Sequence, residues 1–192
     1  MNKMHIYLAA AATYKIDPAH SAVTFTVQHM GISKVHGRFD KFTGTVEYVP
    51  GDMKAWKTEA VIETASVNTN VEARDNHLRG ADFFNVEKFP AMTFKSLKVG
   101  NVKGKTAKIY GELTLMGITR PVTLSVEGDG PVKDPWGNER LGAVAKTTIN
   151  RKDFGLGWNK VLETGGLLVG EKVEIVLEIE AVKEVPAAAP EK

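Results

Sequence analysis

The chain has 192 residues, which is the usual length of one domain. Its 25 Lys and Arg nearly balance 23 Asp and Glu, so the net charge of +2 lacks the basic excess that non-specific nucleic-acid binding requires. With no cysteine, disulfides, cysteine-ligated metals and thiol nucleophiles are excluded. The 43% of hydrophobic residues is enough for a core or for a lined cavity.

The two ends differ in composition from the rest. Residues 1–13 combine a Lys near the start, a short apolar stretch and an Ala-rich end, which resembles a shortened secretory signal. An expression leader or a short N-terminal helix is the alternative. Residues 185–192 are rich in Pro and Ala and predict a mobile tail. No apolar run approaches the ~18 residues of a membrane-spanning helix, so we expect no integral membrane segment.

Apolar and polar side chains alternate along most of residues 14–184, which predicts strands with one apolar face each. Only residues 71–78 predict a helix, with Asn70 as its N-cap and Gly80 just past its end. Without repeated helical crossovers, the sheet should be antiparallel. The alternation is found in eight runs, at residues 23–27, 39–48, 60–64, 92–96, 109–115, 122–126, 141–149 and 173–180.

Antiparallel strands with one apolar face either pair as two sheets or close into a barrel. A closed barrel of about eight strands has room for one small ligand. The apolar faces mix large and small side chains, which favours a cavity, but the pattern leaves a solid core open as an alternative.

Four segments, in order along residues 14 to about 183, resemble the YceI-like family of lipocalin-resembling polyisoprenoid-binding proteins. They begin with Tyr14-Lys-Ile-Asp17-Pro18, Arg74-Asp75-Asn-His77-Leu78, Gly111-Glu-Leu113-Thr-Leu115 and Asn150-Arg151-Lys-Asp153-Phe154. The resemblance implies an all-β fold, a single eight-stranded antiparallel lipocalin-like barrel with one short helix near its rim. It also implies an elongated apolar pocket for an isoprenoid or a similar long-chain lipid.

The resemblance supplies no established reaction. We therefore expect non-enzymatic binding, storage or transport of a polyisoprenoid, such as a quinone or a prenyl phosphate, with the lipid as ligand and no cofactor. Export to the bacterial periplasm and self-association as a homodimer are further implications, although no local feature marks an interface or a lipid donor or acceptor. A lipid head-group-modifying enzyme and a partner-binding barrel with a filled core are the alternatives.

The apolar faces supply the residues expected to line the pocket, although each is equally an ordinary core residue. They are Val23, Phe25, Val27, Phe39, Ile62, Phe94, Ile109, Leu113, Leu115, Leu124, Val126, Leu141, Phe154, Trp158, Ile175 and Leu177. Phe83, Phe84 and Phe89 follow the predicted helix and should either plug the barrel end or form a lid.

Four side chains are candidates for binding a lipid head group: His29, Arg74, His77 and Arg151. Arginine binds phosphate oxygens through paired hydrogen bonds. The alternative is a structural role in ion pairs and hydrogen bonds. If the protein were an enzyme, His29 or His77 with a nearby carboxylate would be the acid–base group.

The sequence predicts neither catalytic residues nor a metal site. His20, His29 and His36 lie close in sequence, but their spacing matches no compact ligand signature. Ser21 and His20 are neighbours in an extended run, so their side chains should point to opposite faces. No nucleophile-elbow, phosphate-loop or dinucleotide motif is present.

Overall fold

The computed structural model describes residues 10–163 and 165–185, so most of the predicted leader and tail lies outside it. One helix, α1, spans Glu72–Arg79, and short 3-10 turns lie at Pro18–His20, Met53–Ala55, Thr64–Ser66 and Arg151–Phe154. The strands are β1 Ala12–Ile16, β2 Ala22–His29, β3 Ser33–Phe39, β4 Phe42–Tyr48, β5 Lys57–Glu63, β6 Val67–Asn68, β7 Ala91–Lys103, β8 Thr106–Leu115, β9 Ile118–Lys133, β10 Glu139–Asn150 and β11 Val169–Lys183.

The strands form one closed antiparallel barrel. β1 and β2 pair with successive parts of the same edge of β11. On their other side, β4 pairs with β1 and β3 pairs with β2. Beyond these, β5 pairs with β4 and β6 pairs with β3. β1 with β2, β3 with β4, and β5 with β6 therefore each count as one interrupted strand, which gives eight positions around the ring. β7 to β11 complete the ring, and β1 closes it against β11. The predicted eight-stranded lipocalin-like barrel with one short helix is confirmed.

The break between β1 and β2 has a local cause. Pro18 has no N–H to donate, and the Asp17 carboxylate accepts from the Ala19 N–H at 3.0 Å, which starts the 3-10 turn. The Ser21 hydroxyl then donates to the Glu180 carbonyl and accepts from its N–H. These two bonds keep the chain attached to β11 across the break.

β1 begins before the predicted domain boundary. Ala12 and Thr13, which the sequence analysis assigned to the leader, pair with Tyr48 and Glu47 of β4. The strand therefore begins two residues before the predicted start of the domain, because pairing with a distant strand extends into the Ala-rich segment.

The predicted N-cap of the helix is wrong. Val71 occupies the cap position, and Asn70 has a left-handed backbone with φ of 62°, whereas a cap residue is normally extended. The buried Asp75 carboxylate instead accepts from the Thr69 N–H at 2.9 Å and from the Thr69 hydroxyl. Gly80 follows the helix as predicted. Within the described part of the chain, no helix is both long enough and apolar enough to span a membrane.

The two ends of the barrel differ. The α1 end carries α1, the turn between β2 and β3, and the 3-10 turn Arg151–Phe154. At this end β6 pairs only with Arg38 and Phe39, so no strand within residues 10–163 and 165–185 pairs with that edge of β3 over residues 33–37. The opposite end, which we call the Trp56 end, carries the Trp56 segment and the turn between β9 and β10.

An ion-pair network fastens the Trp56 end. The Arg140 guanidinium lies 3.0 Å from Asp17, 2.8 Å from Asp134 and 2.5 Å from Glu180. Hydrogen bonds from His20 and Arg140 lower the pKa of Asp17, and the bond from Arg140 holds the pKa of Asp134 well below its usual range. Asp17, His20 and Glu180 cluster closely enough to suggest a metal site, but the Arg140 guanidinium already forms ion pairs with both carboxylates.

We expect the Arg140→Met variant to melt at a lower temperature than the parent at pH 7. A carboxyl group whose folded pKa is depressed stabilises the fold above its unfolded pKa of about 3.9, and this contribution is lost as the pH falls through the folded pKa. The difference in melting temperature should therefore shrink steadily below about pH 4. Thermal unfolding followed by circular dichroism between pH 2 and pH 7 measures it.

Arg120→Met is the matched control, because the exposed Arg120 donates, among the residues that the structure describes, only to backbone carbonyls of Asp153 and Thr119. Its melting temperature should stay close to that of the parent at every pH. A difference for Arg140→Met that is the same at all pH values would mean that Arg140 acts through packing and not through its carboxylate partners.

Candidate functional site

The barrel encloses an apolar cavity of about 260 Å³. Its wall runs from Leu156 and Arg151 at the α1 end to Trp56 at the other end. For comparison, an apolar cavity of about 150 Å³ stays dry and binds benzene. The interior of this protein is therefore a ligand-sized hollow and not a filled core.

Most of the predicted lining residues lie on the cavity wall. Thirteen of the sixteen do so, because alternate side chains of each strand face inward. Their contact with a ligand stays a prediction. They are Val23, Phe25, Val27, Phe39, Ile62, Phe94, Ile109, Leu113, Leu115, Leu124, Val126, Ile175 and Leu177.

Leu141 was predicted to line the cavity and lies off its wall. It packs instead with Tyr14, Tyr48 and Ala181, and Trp56 packs against this same cluster. The Tyr48 and Trp56 rings are 5.1 Å apart and close the cavity at this end. Leu141 faces inward but lies beyond the closure, because strand alternation identifies a face and not a depth along the barrel.

Phe154 and Trp158 also lie off the wall, because both follow the last residue of β10, where strand alternation no longer applies. Phe154 belongs to a 3-10 turn and is 1% exposed within the core. Trp158 packs edge-on against His77, with ring centroids 4.9 Å apart, and at a tilt against Phe83 at 5.2 Å.

Two glycines leave room for rings on the wall. A Cβ atom on Gly37 would lie 2.3 Å from Cζ of Phe25, and one on Gly111 would lie 2.5 Å from Cζ of Phe94. Each ring therefore occupies the space of a missing side chain on the neighbouring strand. This arrangement keeps the two rings against the wall and the centre of the barrel open.

Aromatic side chains close the α1 end. Phe83 and Phe84 both line the cavity, together with Leu78 of α1. The Phe84 ring packs edge-on against Phe39 at 5.5 Å, and Phe83 is 8% exposed. This burial fits a plug better than a lid. Phe89 lies off the wall, against Gly117.

Of the four head-group candidates, Arg151 alone lies on the wall. Its side chain donates to the carbonyls of Leu156 at 2.5 Å, Gly170 at 2.8 Å and Val169 at 3.4 Å. Burial lowers the pKa of its guanidinium, which nevertheless stays protonated because arginine is not deprotonated in proteins.

The other three candidates lie away from the cavity wall. Arg74 donates to the Thr69 hydroxyl at 2.7 Å and to its carbonyl at 2.9 Å, which fixes the start of α1. His77 pairs with Asp82 at 2.9 Å on the surface. His29 ends β2 opposite Val169. Their positions correspond to the structural alternative given for Arg74 and His77.

Sequence reasoning did not single out several wall residues. One group could have been predicted from strand alternation, because its members lie on the same apolar strand faces as the predicted lining residues. They are Ala60, Met92, Val122, Ala143, Ala145, Val173 and Ile179. A second group lies in connections and in the helix, where strand alternation does not apply, so it could not be predicted in this way. Its members are Trp56, Leu78 and Leu156.

Comparison with known proteins gives concordant results. A UPF0312 protein of Staphylococcus aureus strain MSSA476 is 40% identical over 162 residues, which are 84% of this chain and 92% of the relative. The Campylobacter jejuni YCEI protein has 30% identity and a TM-score of 0.71, covering 82% of this chain and 90% of that one.

Two more distant structures share the fold. BcnA of Burkholderia cenocepacia has 23% identity and a TM-score of 0.74, over 86% of this chain and 99% of its own. A polyisoprenoid binding domain from Saccharophagus degradans has 17% identity and a TM-score of 0.64, over 91% and 100%. The family model described as the YceI-like domain matches residues 14–181, nearly the whole barrel. By this match and by the 40% identity to its relative, the chain belongs to the YceI-like domain family.

Proposed function

We propose that this barrel binds, stores or transports a long-chain amphipathic lipid, a polyisoprenoid, inside its cavity. The observation that carries the proposal is the cavity wall, which aliphatic and aromatic side chains dominate along its length. The Saccharophagus degradans neighbour, a polyisoprenoid binding domain, supports the same ligand class. Burying hydrocarbon gains about 0.8 kcal/mol per CH₂, so ten carbons could supply about 8 kcal/mol before the costs of binding.

We propose that binding involves no catalysis. Among the described wall residues, the polar side chains are those of Thr24, Lys57, Thr58, Thr147 and Arg151, which include no histidine or carboxylate. Acid–base chemistry on a bound lipid needs such a group within hydrogen-bond reach. His29 and His77, the acid–base groups of the enzyme alternative, lie off the wall. The filled-core alternative is at odds with the hollow interior.

We further propose that the protein is exported to the bacterial periplasm. The support is the signal-like composition of residues 1–13, of which 1–9 lie outside the described residues. The homodimer and the lipid donor or acceptor stay predictions. Fractionation of cells that express the full chain, followed by mass measurement of the periplasmic form, tests the export; a cytoplasmic protein of full mass would contradict it.

We expect the purified protein to carry lipid. Native mass spectrometry should show species heavier than the chain, and organic extraction should remove the added mass. The extracted protein should then take up a prenyl alcohol or a prenylquinone. Absence of any co-purified lipid, together with failure to take up either compound, would contradict the proposed function.

We expect Gly37→Ala to weaken lipid binding by about tenfold. The new methyl group would displace the Phe25 ring from its place against the wall. Overpacking of this kind costs about 1–3 kcal/mol, and the displaced ring would take space from the ligand. Titration of extracted protein with geranylgeraniol measures the change in dissociation constant.

Gly142→Ala is the control, because a Cβ atom there would meet nothing within 4 Å. Its affinity should match that of the parent. Adding Phe25→Leu to the Gly37→Ala chain should recover most of the affinity, because the smaller side chain no longer collides. Unchanged binding by well-folded Gly37→Ala protein would show that Phe25 does not limit the ligand space.

A further inference from the structure

The Trp56 indole reaches across one end of the barrel. It lies 5.1 Å from the ring of Tyr48 on β4, and a Cβ atom on Gly128 of β9 would lie 3.3 Å from its Cζ3. β4 and β9 are four strands apart in either direction around the barrel, so the indole lies close to two opposite sides. Trp56 therefore closes the end of the cavity, whereas the other aromatic wall residues Phe25 and Phe94 lie along its side.

Several contacts hold the indole in this position. Its Nε1 donates to the Val49 carbonyl at 3.3 Å, and the Trp56 backbone N–H donates to the Met53 carbonyl at 3.3 Å, which fixes the turn before β5. Beyond the indole, Tyr14 is fully buried against Tyr48, with ring centroids 5.7 Å apart. A hydrocarbon chain in the cavity therefore cannot extend past Trp56 unless these contacts break.

This end of the cavity offers apolar surface to a ligand. Among the described wall residues here, Trp56, Lys57 and Thr58 carry polar side-chain atoms, and the indole N–H is already bonded. The Thr58 hydroxyl donates to the Thr45 carbonyl at 2.9 Å, and the Lys57 ammonium pairs with Glu47 at 3.1 Å. Burying a polar group without a partner is costly, so the apolar end of an amphipathic lipid, and not its head group, should meet Trp56.

The wall residues of β11 give the depth of the cavity. They run from Val169 at the α1 end to Ile179, and the next inward residue, Ala181, already packs in the cluster beyond Trp56. At a rise of about 3.3 Å per residue and a strand tilt of about 40°, this span is about 25 Å along the barrel axis. This depth accommodates an extended chain of several prenyl units and limits its length.

We propose that Trp56 determines the chain length of the lipid that the barrel binds, by stopping the apolar end of the chain. The inference rests on the proposed function, because it assigns the length limit of that same ligand. Each additional methylene group that becomes buried should tighten binding roughly fourfold, whereas carbons beyond the limit stay in solvent and add nothing. Affinity should therefore rise with chain length and then level off.

Prenyl alcohols of increasing length test the limit on the unaltered protein after lipid extraction. Geraniol, farnesol, geranylgeraniol, geranylfarnesol and solanesol compete in turn against one fluorescent lipid. Affinity should rise through the shorter alcohols and stop rising within the series. A rise that continues to solanesol, or no rise at all, would overturn the chain-length inference and leave the proposed function intact. Failure of every alcohol and of the fluorescent lipid to bind would overturn the proposed function itself.

Variants then test whether Trp56 sets the limit. In Trp56→Ala, the first alcohol longer than the limit of the parent should gain at least about tenfold in affinity relative to the alcohol at the limit, because the vacated space lets about two more carbons become buried. Trp56→Leu should give a smaller gain of the same kind, and it replaces the Ala variant if that protein does not fold.

Trp136→Ala is the matched control, because Trp136 is 81% exposed in the turn between β9 and β10 at the same end and lies off the cavity wall. Its length limit should be that of the parent. Loss of a merely structural side chain would weaken the binding of all alcohols by the same factor. An unchanged limit in folded Trp56→Ala protein, or in Trp56→Leu where that variant replaces it, would therefore contradict the role of Trp56.

Discussion

The structure depends on one short ladder, the pairing of β1 with β11. Tyr14, Lys15 and Ile16 oppose the last residues of β11 and join the first strand to the last. Without this junction the sheet would be open, with unpaired edges and no enclosed interior. Tyr14 reinforces it, because its side chain is fully buried and its hydroxyl donates to Glu139 at 2.5 Å. The cavity is thus a consequence of ring closure by distant parts of the chain.

Closure of the barrel creates an interior, and the volume of the inward-facing residues decides whether that interior is hollow. At Gly37 and Gly111 the missing side chains accommodate rings from neighbouring strands. Small residues such as Ala60, Ala143 and Ala145 occupy other inward positions. The same barrel with larger residues there would be packed solid, as interiors normally are. A ligand space is therefore maintained by residues that do little to stabilise the fold.

Much of the barrel could be predicted from the sequence, because alternation along a strand is a local property. It identified inward residues such as Val23 and Leu177 correctly, together with the antiparallel architecture. It failed for Leu141, because the end of the cavity is set by Trp56, a residue distant in sequence. The burial of Arg151 could not be predicted either, because the carbonyls that it contacts come from the turn at Leu156 and the start of β11, which only the folded chain brings together.

The unpaired edge of β3 has a mechanical consequence. Over residues 33–37 no strand of the described chain pairs with the outer edge of β3, and Leu78, Phe83 and Phe84, from α1 and the segment that follows it, contribute to the cavity wall at this end. Widening the barrel wall beside residues 33–37 would separate side chains only and leave the hydrogen bonds between strands intact. Separating two fully paired strands would break several hydrogen bonds. The unpaired edge of β3 is therefore the part of the barrel wall that can open with the smallest loss of backbone hydrogen bonds, and it lies at the α1 end.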